Sequence, residues 1–277
     1  MKDDKRLNAL PVALTIAGLD PSGGAGIIAD IKTFTAFGCF ATAAVTSLTF
    51  QNTTGVFGAI HQTAESVREQ VAPVAEDFKI AGVKTGMLPT REVIEEIARL
   101  IKEYELPAPV VDPVVRSTSG FDLITDAALQ SLIKNLFPLA RVVTPNIPEA
   151  ERIAKLSIKT VDDMKIAARR IHQLGAPCVL VKGGHLAEIT EDNEQKTKND
   201  LLFDGENFEI FSGESIETNA THGTGCTLAA GITANLANGK TLSQSIRAAK
   251  DFVTEAIRSA PQIGRGHSPI NHGRIIS

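Results

Sequence analysis

Short apolar runs rich in Val and Ile alternate with longer stretches whose apolar residues recur at helical spacing. The runs Val12–Ala17, Ala41–Leu48, Val56–Ile60, Ile80–Lys84, Val110–Asp112, Val142–Thr144 and Cys178–Lys182 predict strands. Between them, Gly26–Phe37, Ala64–Val74, Thr90–Tyr104, Thr125–Leu136 and Val161–Leu174 predict helices. A run such as APVVDP is apolar without alternation, as a strand buried on both faces is. Strand and helix taking turns imply βαβ units, so an α/β fold with a mostly parallel sheet and helices on both sides is expected. Ala187–Asp200 breaks the rhythm and predicts a polar, solvated loop. Leu201–Phe211 predicts a hairpin turning around Asp204–Gly205. Two helices close the chain. In the second, Leu242, Ile246, Ala249, Val253 and Ile257 share one stripe, which predicts core rather than site. No internal repeat or linker interrupts residues 1–277, so one domain is expected.

Composition narrows the classes. Hydrophobic residues make up 43%, enough for a large core, and the net charge of −4 gives nucleic acid no basic face to meet. No Trp and one Tyr argue against a platform for stacking bases. The three cysteines, Cys39, Cys178 and Cys226, form neither a C-x-x-C pair nor a zinc spacing. The start, MKDDKRLNAL, has no apolar run after its charges, and no stretch reaches membrane-spanning length. A cytoplasmic protein without membrane or nucleic-acid partners is the expectation.

In open parallel sheets, ligands bind beyond the carboxyl ends of the strands. Here those positions read GLDPSGGAG, TFQNT, TGML, DPVVRSTSG, TPNIPEAE and KGGH, six strand ends rich in Gly, Asp, Asn, Gln or Lys. DPSGGAG fits neither the Walker pattern nor G-x-G-x-x-G, which disfavours a dinucleotide-binding dehydrogenase. By itself it reads as a tight turn, but Asp30, four residues past Gly26, has the spacing to point back toward the sheet edge. The loop THGTGC opens a helix near Gly225, whose first N–H groups lack intrahelical partners. Gly223 and Gly225 permit a tight bend that turns amides one way, an anion pocket at the positive end of a dipole. A thiol placed there, Cys226, is expected to have a lowered pKa and to serve as a base near pH 7; the competing reading is a small buried hydrophobe.

The ordered segments ALTIAGLDPSGGAGIIADIKTF, TSLTFQNTTGV, KTGML, VVDPVV, TPNIPEAE, VKGGH and THGTGCTLAAGI resemble the hydroxymethylpyrimidine/phosphomethylpyrimidine kinases of thiamine biosynthesis, within the ribokinase superfamily. The resemblance runs from about Ala13 to the tail near His272. It implies a three-layer α/β/α ribokinase-like fold and ATP-dependent phosphorylation of a pyrimidine hydroxymethyl group and then of the monophosphate. Asp30, Gln51 and Met87 match the family's pyrimidine pocket, and Asp and Gln suit an aminopyrimidine edge. Lys84 is placed to meet the monophosphate. Cys226 matches the general base, and Gly223, Thr224 and Gly225 the anion hole. Asp112, Thr144 and Lys182 fall to the nucleotide. Asn146 and Glu149, an N-x-x-E element, fall to Mg2+, partly through water; the plain alternative for Glu149 is a charge favoured by a helix dipole. The resemblance also implies a homodimer. Arg116 departs from the family pattern and reads as an extra phosphate contact or as nothing. The nearest competing substrate is pyridoxal, against which Gln51 argues. A non-catalytic binding module is disfavoured because base, anion hole and N-x-x-E occur together.

Overall fold

The computed structural model describes residues 10–115, 123–189 and 196–273. Arg116 lies outside them. Among the described residues, nine strands form one sheet: β1 (Val12–Leu19), β2 (Phe40–Asn52), β3 (Gly55–His61), β4 (Ile80–Thr85), β5 (Val110–Val111), β6 (Val142–Val143), β7 (Val179–Ile189), β8 (Lys196–Phe203) and β9 (Phe208–Glu214). Their order across the sheet is β3-β2-β1-β4-β5-β6-β7-β8-β9. From β2 to β7 neighbours run parallel, and antiparallel pairs, β2–β3 at one flank and β7–β8–β9 at the other, finish the sheet.

Among the described residues, eight α-helices cover both faces: α1 (Gly26–Ala36), α2 (Ala64–Asp77), α3 (Arg91–Glu103), α4 (Asp126–Ser131), α5 (Ile147–Ala154), α6 (Val161–Gln173), α7 (Thr224–Ala237) and α8 (Leu242–Arg258). The period of two sorts each strand's side chains between the layers. Val111, Val143, Val179 and Val181 join the core under α2–α6. Val110, Val142 and Leu180 turn the other way and meet α7 and α8. Both faces are dry, which is why the strand runs show no polar alternation.

Some expectations are corrected. Ala187–Asp200 is not one loop: β7 extends to Ile189 and β8 starts at Lys196, with Ala187 opposite Lys198 and Ile189 opposite Lys196. Polar, alternating residues on an antiparallel edge resemble a loop in sequence because only one face needs to be apolar. The stretch read as one helix over Thr125–Leu136 is regular only in α4; a wider π-type turn follows over Leu132–Leu136, then a tight 3-10 turn over Phe137–Leu139. Pro138, with no N–H to donate, forbids a longer helix. α5 was not foreseen. Its start was read as a metal element, yet Asn146 and Glu149 form a capping box there. The expected hairpin is present, with Phe203 opposite Phe208 and Gly205 at φ 101°.

Candidate active site

A cavity of about 1170 Å3 opens where the strands' carboxyl ends meet the helix starts. The helix caps show how the chain prepares it. Thr63, Thr90, Thr125, Asn146, Thr160 and Thr241 cap α2, α3, α4, α5, α6 and α8 with their side chains. Only α1 and α7 among the described α-helices start without a side-chain cap, after Ala25 and Gly223. Both open on the cavity with no capping side chain over their first amides; the Gly26 amide instead reaches Cys226, and the Thr224 amide donates to the Thr221 carbonyl at 3.5 Å. Gly223 takes φ +82°, and a Cβ there would overlap the Gly24 carbonyl oxygen. Glycine is therefore required twice, for the left-handed turn and for the close approach of two backbones.

Gly223, Thr224, Gly225 and Cys226 all line the cavity, so the thiol does not face away into an aliphatic core. Its expected acidity is overturned: burial pushes the Cys226 thiol up to about 11, against the opposing pull of Lys84 and of the Gly26 amide. A helix terminus acidifies a thiol only if desolvation is smaller, and here it is not. Lys84 also lines the cavity, and its ammonium lies 2.8 Å from Asp30 Oδ2 with both side chains fully buried. Burial works against the Lys84 charge, but Asp30, Cys226 and Asp112 outweigh it and hold the amine above the usual lysine range.

Asp30 itself is not on the cavity wall. It sits behind Lys84 and accepts from Lys84 Nζ and, at 2.6 Å, from Thr15 Oγ1. The expected pairing of Asp30 with a pyrimidine edge is thus replaced by a role as buried counter-ion. Thr144 is likewise off the wall and fully buried; its hydroxyl donates to Asp112 Oδ1 at 3.2 Å. Gln51 and Met87 do line the cavity. Gly18 makes room for Met87: a Cβ at Gly18 would stand 3.0 Å from the thioether sulfur.

Towards the other end, Lys182 Nζ lies 2.8 Å from Asp112 Oδ1 and 3.3 Å from where a Gly225 Cβ would be, over the start of α7. Asn146 Oδ1 accepts from the Glu149 amide and Glu149 Oε2 from the Asn146 amide, both on the wall. Burial, partly opposed by Lys182, raises the Glu149 carboxyl to about 7. Val253 and Ile257, expected as core, reach the wall as well. The helix stripe continues past the core and becomes an apolar lining.

The residues gathered here, amides of an uncapped helix beside the buried Lys84 and half-buried Lys182 ammonium groups, can take a phosphorylated ligand. A family model described as phosphomethylpyrimidine kinase matches residues 20–271. The chain belongs to the phosphomethylpyrimidine kinase family. A hydroxymethylpyrimidine/phosphomethylpyrimidine kinase of Bacillus subtilis (strain 168) is 45% identical over 260 residues, 94% of each chain. The crystal structure of phosphomethylpyrimidine kinase from Clostridium difficile 630 matches with TM-score 0.76 at 42% identity, covering 89% of this chain and 99% of that one. An ADP complex of Bacillus subtilis pyridoxal kinase matches with TM-score 0.86 at 38% identity, covering 96% and 98%. The kinase fold is the ribokinase-like three-layer arrangement.

Sequence reasoning missed several residues on this kinase's cavity wall. Gly18 was seen only as part of a turn, and Asp20 and His222 were passed over, although both stand inside quoted loops. Asp20 Oδ2 lies 2.7 Å from His222 Nε2. A signal existed: each is a polar residue inside a glycine loop at a strand or helix end. Their partnership, across 202 positions, was not readable.

Proposed function

We propose that this kinase transfers the γ-phosphoryl group of ATP to 4-amino-5-hydroxymethyl-2-methylpyrimidine and then to its monophosphate, as a step of thiamine biosynthesis in the cytoplasm. The observation that carries the reading is the uncapped start of α7, placed on the same wall as Gln51 and Met87. The pyrimidine lies at the Gln51 and Met87 end, its amino edge on the Gln51 amide and its ring on the thioether. The triphosphate lies at the other end, beside Lys182 and Asp112. Between them, amides at residues 223–225 face the oxygen charge of the migrating phosphoryl group. Such transfer is mostly positioning and charge stabilisation, so fixed amides and a buried Lys84 supply much of what is needed.

Cys226 takes the hydroxyl proton. With its pKa near 11, about one molecule in 10^4 carries the thiolate at pH 7. The base is therefore scarce in the resting enzyme, and Lys84 and the Gly26 amide are what make it accessible at all. Mg2+ would travel with the nucleotide. No group of three or more His, Cys, Asp or Glu able to hold a metal occurs among the described residues. Glu149 and Asn146 would stand in the outer layer of an ion that keeps its waters and phosphate ligands. The buried Glu149 carboxyl, raised to about 7, fits this place because a nearby cation would favour its charged form. A homodimer is the assembly proposed.

Pyridoxal is the second substrate to weigh, because a pyridoxal kinase has the TM-score of 0.86. The decisive experiment gives the enzyme Mg-ATP with hydroxymethylpyrimidine, its monophosphate or pyridoxal, and counts phosphates in each product. Mono- and diphosphorylated pyrimidine are expected. Preferential turnover of pyridoxal overturns the substrate assignment, and a product stopping at the monophosphate overturns the second step.

A further inference from the structure

The loop after β1 and the loop before α7 meet backbone to backbone. A Cβ on Gly223 would overlap the Gly24 carbonyl oxygen, and one on Gly24 would overlap the His222 ring. Across this seam lies the Asp20–His222 pair, with side chains 2% and 11% exposed. The Asp20 carboxylate is saturated. Oδ1 accepts from the Ser22 amide at 2.8 Å and the Ser22 hydroxyl at 2.6 Å; Oδ2 accepts from the Ala25 amide at 2.9 Å and faces His222 Nε2 at 2.7 Å. Burial alone would raise this acid, but those bonds, led by His222, together with a side-chain hydrogen bond from Gln51, hold it well below the usual carboxylate range. An ionised carboxylate only accepts, so Nε2 of His222 carries the proton. The ring is then fixed in both tautomer and orientation, one residue before the cap of α7. The other side of the same residue is held too: the His222 amide donates to the Ser268 carbonyl at 3.3 Å.

We propose that Asp20 and His222 are a positioning pair, which holds the amides of residues 223–225 in register with the loop after β1 so that they meet the phosphoryl group in transfer. The inference rests on the reading of those amides as the anion hole. It follows from three features together: a pair buried between two glycine loops, a carboxylate with no capacity left for substrate, and a covalent link of one residue from His222 to the hole. Toward the hole Asp20 thus acts through His222 and not on the substrate, while its bond with the Gln51 side chain reaches the pyrimidine end. A shift of about 1 Å in a catalytic group costs on the order of a hundredfold in rate, so the pair governs kcat more than binding.

The test uses the full chain with Mg-ADP, aluminium fluoride and hydroxymethylpyrimidine, beside steady-state kinetics. His222→Ala is expected to lower kcat about tenfold to a hundredfold. It should weaken the ADP–aluminium fluoride complex equally and leave the KM for the pyrimidine and the Kd for ADP nearly unchanged. His222→Gln, which places an N–H near Nε2, should recover most of the loss. Asp20→Asn should match His222→Ala in kcat and fluoride-complex affinity, with an added rise in the pyrimidine KM through its bond with Gln51, and the double variant should have a kcat no lower than either single one. If His222→Ala folds poorly, Asp20→Asn and His222→Gln carry the same comparison. Unchanged kcat and fluoride-complex affinity in the folded variants overturn the pair's role, as does a rise in pyrimidine KM alone. If the wild-type enzyme binds ADP–aluminium fluoride no tighter than ADP, the anion-hole reading itself fails, whatever the variants do.

Discussion

Burial and charge compete at Cys226. Desolvation favours the neutral thiol, and it outweighs Lys84, which favours the thiolate. The sign of the pH dependence follows. Below about pH 11 the thiolate fraction rises tenfold per pH unit, so kcat at saturating substrates is expected to climb with a slope near one between about pH 7 and 9. In Cys226→Ala, kcat should fall by about 10^2–10^4 and lose that slope, while ATP affinity holds. A flat wild-type profile would remove the base from Cys226. Gln51 makes a separate case. Gln51→Ala is expected to raise the KM for the pyrimidine by about tenfold with little change for ATP, since a donor–acceptor pair to one substrate is lost. Equal effects on both substrates would place Gln51 outside the pyrimidine end. At this scale the residue types were readable in the sequence, because Gln51, Met87 and Lys84 follow strands and Cys226 opens a helix in glycine-rich loops that cluster at one sheet edge. Their protonation states were not, because these depend on neighbours such as Asp30 and Asp112 brought in by the fold.

The anion hole proposed at the start of α7 depends on a helix that can be buried on all sides. Its small side chains let Gly231 approach α8 so closely that a Cβ would stand 2.8 Å from the Ala249 Cβ, and Gly82 of β4 lies under it, where a Cβ would stand 3.0 Å from the Thr233 carbonyl oxygen. The run without bulk, TLAAGITANLA, is thus a packing requirement: it seats the helix deep enough for its first turn to reach the sheet edge. Gly231→Val is expected to destabilise the protein by about 1–3 kcal/mol by overpacking, measured by urea unfolding. Stability unchanged within error would mean that α7 and α8 can part freely. The element scale also shows what one pattern hides beneath another. The N-x-x-E sequence is equally a capping box and a metal element, and in α5 it serves as the first with both residues on the cavity wall. The extension of β7 to Ile189 escaped notice for a related reason, since an edge hairpin may be polar along its whole solvent face.

Across the whole molecule, the segment after α8 runs back over the cavity end and ties three elements together. The His267 amide donates to the Thr53 carbonyl at 2.8 Å, and the Asn271 amide to Ala256 of α8 at 2.9 Å. Nε2 of His272 lies 2.9 Å from the Thr227 hydroxyl in α7. Burial, helped by Lys32, lowers the His272 pKa to about 4. The unfolded chain takes up this proton near pH 6.5 while the folded chain resists until about pH 4, so stability present above pH 6.5 is lost as pH falls between the two. From pH 7 to about 4.5 this one group is expected to cost up to about 2 kcal/mol. His272→Gln should show a correspondingly smaller acid loss in urea titrations at the two pH values; an identical loss would mean that His272 is not held neutral. The tail's tie to the turn after β2 was not legible, since it joins Thr53 to residues 265–267 through backbone groups that carry no side-chain pattern.

The sequence by itself determined the layers, the parallel middle of the sheet, and the loops from which the site is built. Periodicity and glycine placement are local, and local rules fix them. Only the tertiary structure decided which of those residues face the cavity and in what charge state. Asp30 went behind Lys84, Thr144 behind Asp112, and Asp20 met His222, because burial and the distances between remote strand ends arise only when the sheet is assembled.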